Sequence, residues 1–469
     1  MSFADRFVKV MNWDAAMMGS LPAVKAIGSW SASPPLTIVT QATLGRMPQL
    51  EAQCKAWKGP LSVVLYKAIY QPDEADGSES FSPDIAKELK EDLATIAAFG
   101  TALDKRDACH LSILMVVEVF ADRRALLLYP MNLLRNLARL QARTPMVAML
   151  DVDILPSADL THTLLSPDSS VARSCLDVTT RMGVVVLPTF ETNATGDITA
   201  NAELADLLSQ QDKAAFMASV SQGLASPFDG VRYPEGHNST LFDRWYTSQE
   251  LYPIVYGSGF EPFVIIDRKN TPWHDVRYRG YGWNKIVHLS LLNFTGFNFY
   301  VHPTAFVVHR AHVHSSVSNA FFESYSIPNH ILSIVGKQHD GLKIRIHNEK
   351  LFERSKLEMQ ANEFNVALDA ATRKCMTALP WFQLPAAAPH SHLASGEPQP
   401  QPQQDAPVAT PGGGPPAAAA AAALRQALVH EVPSPTSAAA AADAAPAAEA
   451  AAPSRSSDTR QHPSHHGRP

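Results

Sequence analysis

Two aspartates, Asp151 and Asp153, directly follow the apolar segment 146–150. Such a short apolar run predicts a buried strand in the middle of a parallel sheet, and open α/β sheets bind ligands at the carboxyl ends of such strands. Because residues two apart on a strand face the same side, we expect both carboxylates to point at one object. Two like charges this close need a cation or a shared proton, so the pair predicts a divalent metal ion that grips a diphosphate. An isolated Asp-X-Asp is more often a turn or a helix cap, so this interpretation depends on other residues.

A histidine cluster at the end of a later predicted strand offers further metal ligands. Segment 305–308 is apolar and runs into His309-Arg-Ala-His-Val-His314. Imidazoles grouped at a strand end can bind a metal ion, whereas a single histidine is more often structural. His309 and His312 lie nearest to the strand and are therefore the candidate ligands.

Several polar residues outside these clusters could contact a bound ligand. Gln41 and Glu191 follow predicted strands, and His237 lies in a stretch that contains glycine and proline. Asn132 and Arg135 lie in the first turns of a predicted helix just upstream of the two aspartates. An arginine in this place suits a phosphorylated ligand, and a solvated helix arginine explains it equally well.

The segment Gly280-Tyr-Gly-Trp-Asn-Lys285 is an aromatic, glycine-bearing loop before a predicted helix. A sugar-binding surface needs apolar ring faces that stack on the sugar and polar groups that hold its hydroxyls. Trp283, Asn284 and Lys285 are the candidates for these roles. A packed turn with Trp283 in the core is the alternative.

The elements that must position these residues alternate between strand and helix. The predicted strands are 36–40, 61–66, 109–120, 146–150, 182–188, 252–256, 263–266, 297–301 and 305–308. The predicted helices are 47–57, 84–100, 130–140, 160–166, 201–217, 286–292 and 342–376. The chain thus opens strand–helix–strand, which is typical of a doubly wound α/β sheet.

The composition divides the chain of 469 residues into a folded part and a tail. Residues 1–34 are predicted to be a lead-in and 35–380 to form the α/β domain. Residues 384–469 are rich in Pro and Ala and are predicted to be disordered, because they cannot bury enough apolar surface to offset the entropy of ordering. No apolar run is long enough for a membrane span or a signal peptide, which taken literally predicts a soluble cytosolic chain.

Charge and cysteine content exclude other classes of function. The net charge is −6 with no basic stripe, so we expect no nucleic-acid partner. The four cysteines are too far apart for a zinc knuckle or a CxxC redox motif. They allow one or two disulfides, whose pairing the sequence leaves open.

Eight segments, in the same order as in the family and covering about residues 36–315, resemble glycosyltransferase family 49. This family contains the second catalytic domain of LARGE-type matriglycan synthases and the related β-1,4-glucuronyltransferase. The segments are 50–60, Tyr129-Pro-Met-Asn-Leu-Leu-Arg-Asn136, Met149-Leu-Asp-Val-Asp-Ile-Leu-Pro156, Pro188-Thr-Phe-Glu191, Gly236-His-Asn-Ser-Thr240, Phe260-Glu-Pro-Phe263, Arg279-Gly-Tyr-Gly-Trp-Asn-Lys285 and His309-Arg-Ala-His312.

The resemblance implies a GT-A fold, in which a Rossmann-like, mostly parallel sheet flanked by helices binds a nucleotide sugar. It implies a UDP-sugar donor, UDP-glucuronate being the expected one, and transfer with inversion to a glycan or glycoprotein acceptor. It also implies Mn²⁺ held by Asp151, Asp153 and His309, while His312 stays a candidate ligand from its place in the histidine cluster. The metal would neutralise the departing diphosphate.

Inversion requires a carboxylate that accepts the proton of the acceptor hydroxyl. Glu261 is the first candidate for this base, Asp275 the second and Glu191 the third. A surface carboxylate or a helix cap is the alternative for each. Arg135 or Lys285 could meet a phosphate or the carboxylate of a uronate.

The chain also departs from the family pattern. Members are usually anchored in the Golgi lumen by an amino-terminal membrane helix, which is not visible here, so either the gene model is truncated or the protein lies elsewhere. The xylosyltransferase domain of the LARGE type is absent from this sequence, so we do not expect a two-sugar polymerase. Two other functions stay open: a catalytically silent GT-A-like protein that binds glycans or partners, and a metal-dependent hydrolase that uses the same carboxylates.

Overall fold

The computed structural model describes residues 35–72, 82–106, 108–166, 168–194, 197–325, 339–379 and 382. The predicted lead-in and the predicted disordered tail lie outside these residues, so both stay predictions. Within the described part, strands and helices alternate from the first strand onward, as the sequence predicts.

The amino-terminal half follows a strand–helix order because short β-branched runs are separated by longer stretches with helical spacing. Its elements are β1 (Leu36–Thr43), α1 (Met47–Trp57), β2 (Pro60–Tyr70), α2 (Pro83–Lys105), β3 (His110–Phe120), α3 (Met131–Gln141), β4 (Met146–Met149), β5 (Ile154–Pro156), α4 (Ala158–Leu165) and α5 (Ser170–Thr180).

The carboxyl-terminal half contains shorter strands with longer connections. Its elements are β6 (Gly183–Leu187), β7 (Thr189–Thr192), α6 (Ile198–Leu208), α7 (Lys213–Ser221), β8 (Ala225–Pro227), α8 (Phe242–Thr247), β9 (Tyr252–Ile254), β10 (Phe263–Asp267), α9 (Asn284–Phe294), β11 (Asn298–Val301), β12 (Val307–His309), α10 (Ser316–Glu323), α11 (Asp340–Gln360) and α12 (Ala370–Ala378).

The strands form an eight-stranded sheet in the order β3-β2-β1-β4-β10-β6-β11-β9 and a four-stranded sheet in the order β5-β12-β7-β8. The expected α/β class is confirmed, but the large sheet is mixed rather than mostly parallel. β10 runs antiparallel to both β4 and β6, and β9 runs antiparallel to β11. An apolar strand indicates that both of its faces are buried. It does not indicate whether the neighbouring strands run parallel or antiparallel to it.

The burial of β4 shows how the core is arranged. Val147 and Met149 pack into one apolar cluster, while Met146 and Ala148 pack into another on the opposite face of the sheet. Because successive strand residues point to opposite faces, a strand covered on both sides must be apolar throughout. This requirement explains why the segment 146–150, from which the strand was predicted, is apolar throughout.

Two long predicted helices are each divided in the structure. The predicted helix 201–217 is divided because the carboxylate of Asp212 accepts a hydrogen bond from the amide of Ala215 and starts α7. The predicted helix 342–376 is divided in the same way, since Asp369 caps α12 through the amide of Thr372. An aspartate that caps a new helix ends the continuity that apolar spacing suggests. The helices α5 and α10 and the three-residue strands β5 and β8 were not predicted.

A disulfide joins Cys54 in α1 to Cys109, the residue before β3, while Cys175 and Cys375 are free. The sequence left this pairing open because it depends on the packing of α1 against the sheet. None of the helices in the described part of the chain is both long and apolar enough to cross a bilayer.

We expect loss of the disulfide to lower the free energy of unfolding by about 4 kcal/mol, because the bond closes a loop of 55 residues and restricts the unfolded chain. Urea unfolding of the Cys54→Ala/Cys109→Ala variant, with and without reductant, measures this change. The Cys375→Ala variant, which removes a free cysteine, is the control. Equal stability of the double variant and the oxidised parent would contradict the prediction.

Candidate active site

The candidate site lies at the carboxyl end of β4, where the chain passes from the large sheet into the small one. β4 ends at Met149, and Asp151 and Asp153 lie in the turn before β5 rather than on a continuing strand. The side-chain amide of Gln53 donates to the carbonyls of Asp151 and Ile154, at 2.9 Å each, and so holds the turn. The expectation that strand alternation aligns the two carboxylates is therefore wrong, and each has its own set of partners.

Asp153 faces two histidines because β12 pairs with β5. His309 is in register with Ile154, and the amide of Arg310 donates to the carbonyl of Asp153 at 2.7 Å. The Nε2 atoms of His312 and His309 lie 2.5 and 3.9 Å from Oδ2 of Asp153. Two elements that are distant in sequence thus converge on one carboxylate oxygen.

The electrostatics of this cluster favour a charged carboxylate. Burial by itself would raise the pKa of Asp153, but the hydrogen bond with His312 and the nearby His309 outweigh it and bring the pKa to about 2. Burial lowers the pKa of His309. For His312, the contact with Asp153 outweighs burial and raises the pKa. One anionic oxygen and two imidazoles therefore share a small polar space.

This cluster has the chemistry of a metal site. The candidate ligand atoms of Asp153, His309 and His312 lie within 4.8 Å of one another. Three protein ligands leave coordination positions open for oxygens of a ligand, and a set of two imidazoles and one carboxylate suits first-row divalent ions in general. The residues present therefore fit a divalent metal, although the donor set does not select Mn²⁺ over its neighbours.

Asp151, which the sequence suggested as a further metal ligand, is held by protein cations. Its carboxylate lies 2.9 Å from Nη2 of Arg135 and 3.6 Å from Nζ of Lys285. Burial by itself would raise the pKa of Asp151, but the two cations outweigh it and lower the pKa. Nζ of Lys285 also lies 3.7 Å from the ring centre of Phe263. Asp151 thus orients two basic side chains beside the candidate metal site formed by Asp153, His309 and His312.

The guanidinium of Arg135 is fixed by a buried amide network. Its Nη1 donates to Oδ1 of Asn284 at 2.8 Å and to Oδ1 of Asn132 at 3.2 Å. The amide of Asn132 in turn donates to the carbonyls of Asp275 and Asn284. Asn132 is fully buried and contacts Arg135, so its predicted contact with a donor stays a prediction and its observed role is to hold Arg135.

Glu261 is the candidate base that the structure leaves available. It precedes β10, and its amide donates to the carbonyl of Gly236 at 3.0 Å. Burial raises the pKa of the Glu261 carboxyl, Lys285 partly offsets this, and Asp229 and Asp151 add to it. Among the described residues its carboxylate forms no ion pair. A buried, unpaired carboxyl near two basic residues is suited to accepting a proton.

The other two candidate bases are placed less favourably. The carboxylate of Asp275 is buried and accepts hydrogen bonds from the Nε, Nη2 and backbone amide of Arg277, so its predicted role as a base is not supported. Glu191 lies in β7 directly beside His309, and burial raises the pKa of its carboxyl. Glu191 thus adjoins the candidate metal site through His309.

Two predicted ligand-binding residues, Gln41 and His237, have neighbours that the sequence did not identify. The side-chain oxygen of Gln41, at the end of β1, accepts a hydrogen bond from the hydroxyl of Tyr129. His237 is buried, which lowers its pKa to about 3, and its Nδ1 has no hydrogen-bond partner among the residues that the structure describes. The ring of Phe228 lies between His237 and His309, at 5.4 and 5.0 Å. Tyr129 belongs to a segment that resembles the family, whereas no pattern pointed to Phe228.

The glycine-bearing loop turns Trp283 inward. Gly280, Gly282 and Trp283 all have positive φ, at 74°, 94° and 56°. The partly buried Trp283 packs with Phe321 at 6.0 Å and starts α9. The alternative of a packed turn is therefore the better description of Trp283, and Tyr281 is the exposed aromatic residue of this loop.

A pocket of about 430 Å³ adjoins the histidine cluster on another side. It is lined by the turn after β1, by the start of α6 and by residues 310–313. Of the predicted site residues, only His312 lines it. The guanidinium of Arg46 also lines it and donates to the carbonyl of Val313 at 2.7 Å. The imidazole of His312 thus separates this pocket from Asp153.

The comparisons with known proteins agree with this geometry. The model of glycosyltransferase family 49, described as "glycosyl-transferase for dystroglycan", matches residues 35–324. The xylosyl- and glucuronyltransferase LARGE2 of Mus musculus is 29% identical over 310 residues, which are 66% of this chain and 39% of that protein. LARGE1 of Danio rerio is 30% identical over 284 residues, 60% of this chain and 31% of that protein. The chain thus spans about two fifths or less of these relatives.

Among solved structures, S. aureus TarS 1-349 is similar with a TM-score of 0.30 and 12% identity, over 74% of this chain and 79% of that chain. The family match, together with the strand order above, confirms the GT-A α/β class expected from the sequence.

We expect Asp153→Asn to weaken Mn²⁺ binding by at least about tenfold, since the oxygen that faces both imidazoles loses its charge. Loss of the electron paramagnetic resonance signal of free Mn²⁺ measures binding. His309→Ala and His312→Ala should act in the same direction. The control is Asp177→Asn, an exposed carboxylate in α5 that pairs with Arg181. Unchanged Mn²⁺ affinity in all three site variants would show that the ion binds elsewhere.

Proposed function

The chain belongs to glycosyltransferase family 49, and on this premise we propose that it transfers a sugar from a UDP-sugar to a glycan or glycoprotein acceptor with inversion. The observation that carries the proposal is the convergence of Asp153 and its two histidines, the basic pair Arg135 and Lys285, and the unpaired Glu261. These groups supply, in one region, charge for a leaving diphosphate and a base for an incoming hydroxyl.

We propose Mn²⁺ as the metal and Asp153, His309 and His312 as the residues that hold it, with Asp151 acting through the neighbouring cations. When bound, the ion would supply positive charge that stabilises the leaving UDP. Arg135 and Lys285 lie beside this cluster and can bind a phosphate or a carboxylate of the donor. Since the relatives are named xylosyl- and glucuronyltransferases, and a uronate carboxylate suits a basic pair, UDP-glucuronate is the proposed donor.

Glu261 is the proposed catalytic base. The acceptor oxygen attacks the anomeric carbon, the bond from that carbon to the UDP oxygen breaks, and Glu261 takes the hydroxyl proton. Because burial raises the pKa of Glu261, its carboxylate is a stronger proton acceptor than an ordinary surface glutamate. The carboxylate of Asp275 is paired with Arg277 and is therefore less available to accept a proton.

The Cys54–Cys109 disulfide bears on location. Such bonds persist in oxidising compartments and are rare in the cytosol. This supports the Golgi lumen as the proposed location, in agreement with the family resemblance.

The second candidate function is a catalytically silent fold relative that binds glycans. It is favoured by the exposed aromatic rings of Tyr281 and Phe322 beside the site. Such a protein would bind glycans without binding UDP-sugars, and this difference separates the two proposals.

We expect the protein to release UDP from UDP-glucuronate slowly in water and faster with an acceptor, in both cases with Mn²⁺. Assays with UDP-glucuronate, UDP-xylose and UDP-N-acetylglucosamine identify the donor, and calorimetry with UDP, with and without Mn²⁺, measures binding. Asp153→Asn should abolish turnover, whereas Asp177→Asn should leave it unchanged. Metal-independent turnover that survives Asp153→Asn would refute the proposed mechanism, and glycan binding without UDP binding would favour the silent protein.

We expect Glu261→Gln to lower kcat by roughly 10²- to 10⁴-fold while UDP binding persists, because the variant cannot accept a proton. The base works when ionised, so the rate should fall as pH falls through its pKa. Since that pKa is raised above the ordinary 4.5, the fall should begin at a higher pH than for a surface glutamate. The comparison is Asp275→Asn, which should lower stability more than kcat. The reverse pattern would assign the base to Asp275.

A further inference from the structure

A buried carboxylate lies in the last strand of the large sheet, outside the candidate site. Glu118 interrupts the apolar stretch 113–120 of β3, and its side chain is only 2% exposed. The strands β2 and β1 separate β3 from β4, so β3 and β4 are roughly 14 Å apart at the usual strand spacing. Burial of an ionised carboxylate is unfavourable unless a cation and hydrogen bonds compensate it. The position of Glu118 therefore indicates a specific interaction with another part of the chain.

Glu118 is paired with an arginine from the glycine-bearing loop before α9. Its Oε2 forms an ion pair with Nη2 of Arg279 and accepts a hydrogen bond from the hydroxyl of Tyr66 at 2.7 Å. The Nε of Arg279 donates to the carbonyl of Leu128 at 2.9 Å. Because two of its donors have partners in different segments, the planar guanidinium is fixed in both position and orientation. Arg279 thus ties the loop to β3 and to the segment before α3.

The backbone beside Arg279 is held from two further sides. The amide of Gly280 donates to the carbonyl of Tyr129 at 2.9 Å, and the buried side-chain amide of Asn348 in α11 donates to the carbonyl of Arg279 at 2.9 Å. Gly280 has a φ of 74°, and a Cβ at this residue would lie 2.7 Å from Cγ2 of Ile344. The start of the loop is therefore closely packed between α11 and the segment before α3.

The same loop ends at a lysine that faces the candidate site. Lys285 follows the ion-paired arginine by six residues, and its Nζ lies 3.6 Å from the carboxylate of Asp151. The carbonyl of Asn284 accepts a hydrogen bond from the side-chain amide of Asn132 at 3.3 Å. With Glu118 fixing its start and Asn132 fixing its end, the loop directs Lys285 towards the site before any ligand binds.

We propose that Glu118 is a positioning residue that acts through Arg279 and holds Lys285 where its ammonium group binds the diphosphate of the donor. This inference rests on the proposed function, in which Lys285 supplies positive charge to that group. It adds a residue outside the site on which the affinity for the diphosphate depends. Glu118 itself does not contact the ligand.

An ion pair that only stabilises the fold would affect every ligand alike. The candidate metal site offers the comparison, because other contacts hold it: the pairing of β5 with β12 and the side chain of Gln53. Loss of the positioning contact should therefore weaken the binding of UDP and leave the binding of Mn²⁺ unchanged.

The test is Glu118→Gln in the full chain. Glutamine has the same size and can still accept the hydrogen bond from Tyr66, but it loses the charge that holds Arg279. We expect the Kd of UDP, measured by calorimetry with Mn²⁺, to rise about tenfold. The Kd of Mn²⁺, measured by electron paramagnetic resonance without UDP, should stay within about twofold. Trypsin should cleave faster after Arg279, because the start of the loop opens more often.

A second variant tests whether Glu118 acts through Lys285. Lys285→Met removes the charge that Glu118 is proposed to position. In the Lys285→Met background, Glu118→Gln should therefore change the Kd of UDP little further, because two residues that act through one contact are not additive.

The matched control is Asp92→Asn. Asp92, in α2, is also a partly buried carboxylate, and it pairs with Lys67 of β2 in the same sheet. Its substitution should lower the free energy of unfolding in urea and leave the Kd of UDP unchanged. Should Glu118→Gln fail to fold, Arg279→Lys replaces it with the same expectations, since lysine keeps the charge and cannot reach both Glu118 and Leu128 in the same geometry.

The positioning role and the proposed function fail in different ways. If the parent binds UDP with Mn²⁺, an unchanged Kd in Glu118→Gln, a parallel loss of Mn²⁺ binding, an equal loss in Asp92→Asn or full additivity with Lys285→Met would overturn the positioning role alone. If the parent does not bind UDP, the proposed function is refuted and this role with it.

Discussion

The antiparallel pairing of β5 with β12 is the constraint on which the site depends. It sets Ile154 opposite His309 and so brings two imidazoles to the carboxylate of Asp153. A shift by one residue would turn His309 to the other face of the small sheet. The turn that carries both aspartates is held separately by Gln53 from α1. The candidate metal site of Asp153, His309 and His312 is thus formed by contacts between three parts of the chain, and β5 alone would not create it.

The carboxylates of the site differ because their partners differ, although all three are partly buried. Asp151 faces Arg135 and Lys285, Asp153 faces two imidazoles, and both pKa values are lowered. Glu261 has no ion pair among the described residues, and its pKa is raised. The partners of Asp151 and Asp153 therefore favour the ionised form of these carboxyls, whereas burial favours the protonated form of Glu261. This division underlies the roles proposed for them.

One continuous segment, from β12 through α10, contributes both to the candidate metal site and to the group of aromatic rings around Phe321. His309 and His312 precede Phe321 and Phe322 by a single short connection. The loop before α9 completes both regions, since Lys285 reaches Asp151 and Tyr281 packs on Phe321. The candidate metal site and the rings around Phe321 are consequently supported by the same two segments. Movement of either segment would alter both.

The sequence by itself determined the class of fold, the order of most strands along the chain and the segments that contain the site. Buried strands and strand-end polar residues are local patterns, and the eight family segments carry their own order along the chain. Even so, local patterns could not distinguish a carboxylate that is free from one that is already paired. Glu261 and Asp275 were both candidate bases, in that order, and only their neighbours in the structure showed that Asp275 is paired with Arg277.

Only the tertiary structure decided which predicted residues act together. It placed the two aspartates in a turn with separate partners, buried Asn132, packed the partly buried Trp283 on Phe321, and paired Cys54 with Cys109. It also made the large sheet mixed and grouped the rings of Tyr281, Phe322 and Tyr325 around Phe321. Each of these depends on contacts between residues far apart in the chain. Such contacts leave no periodic signal in the sequence. The spacing of apolar residues indicates which face of a helix or strand a residue occupies, but not which residues pack against that face.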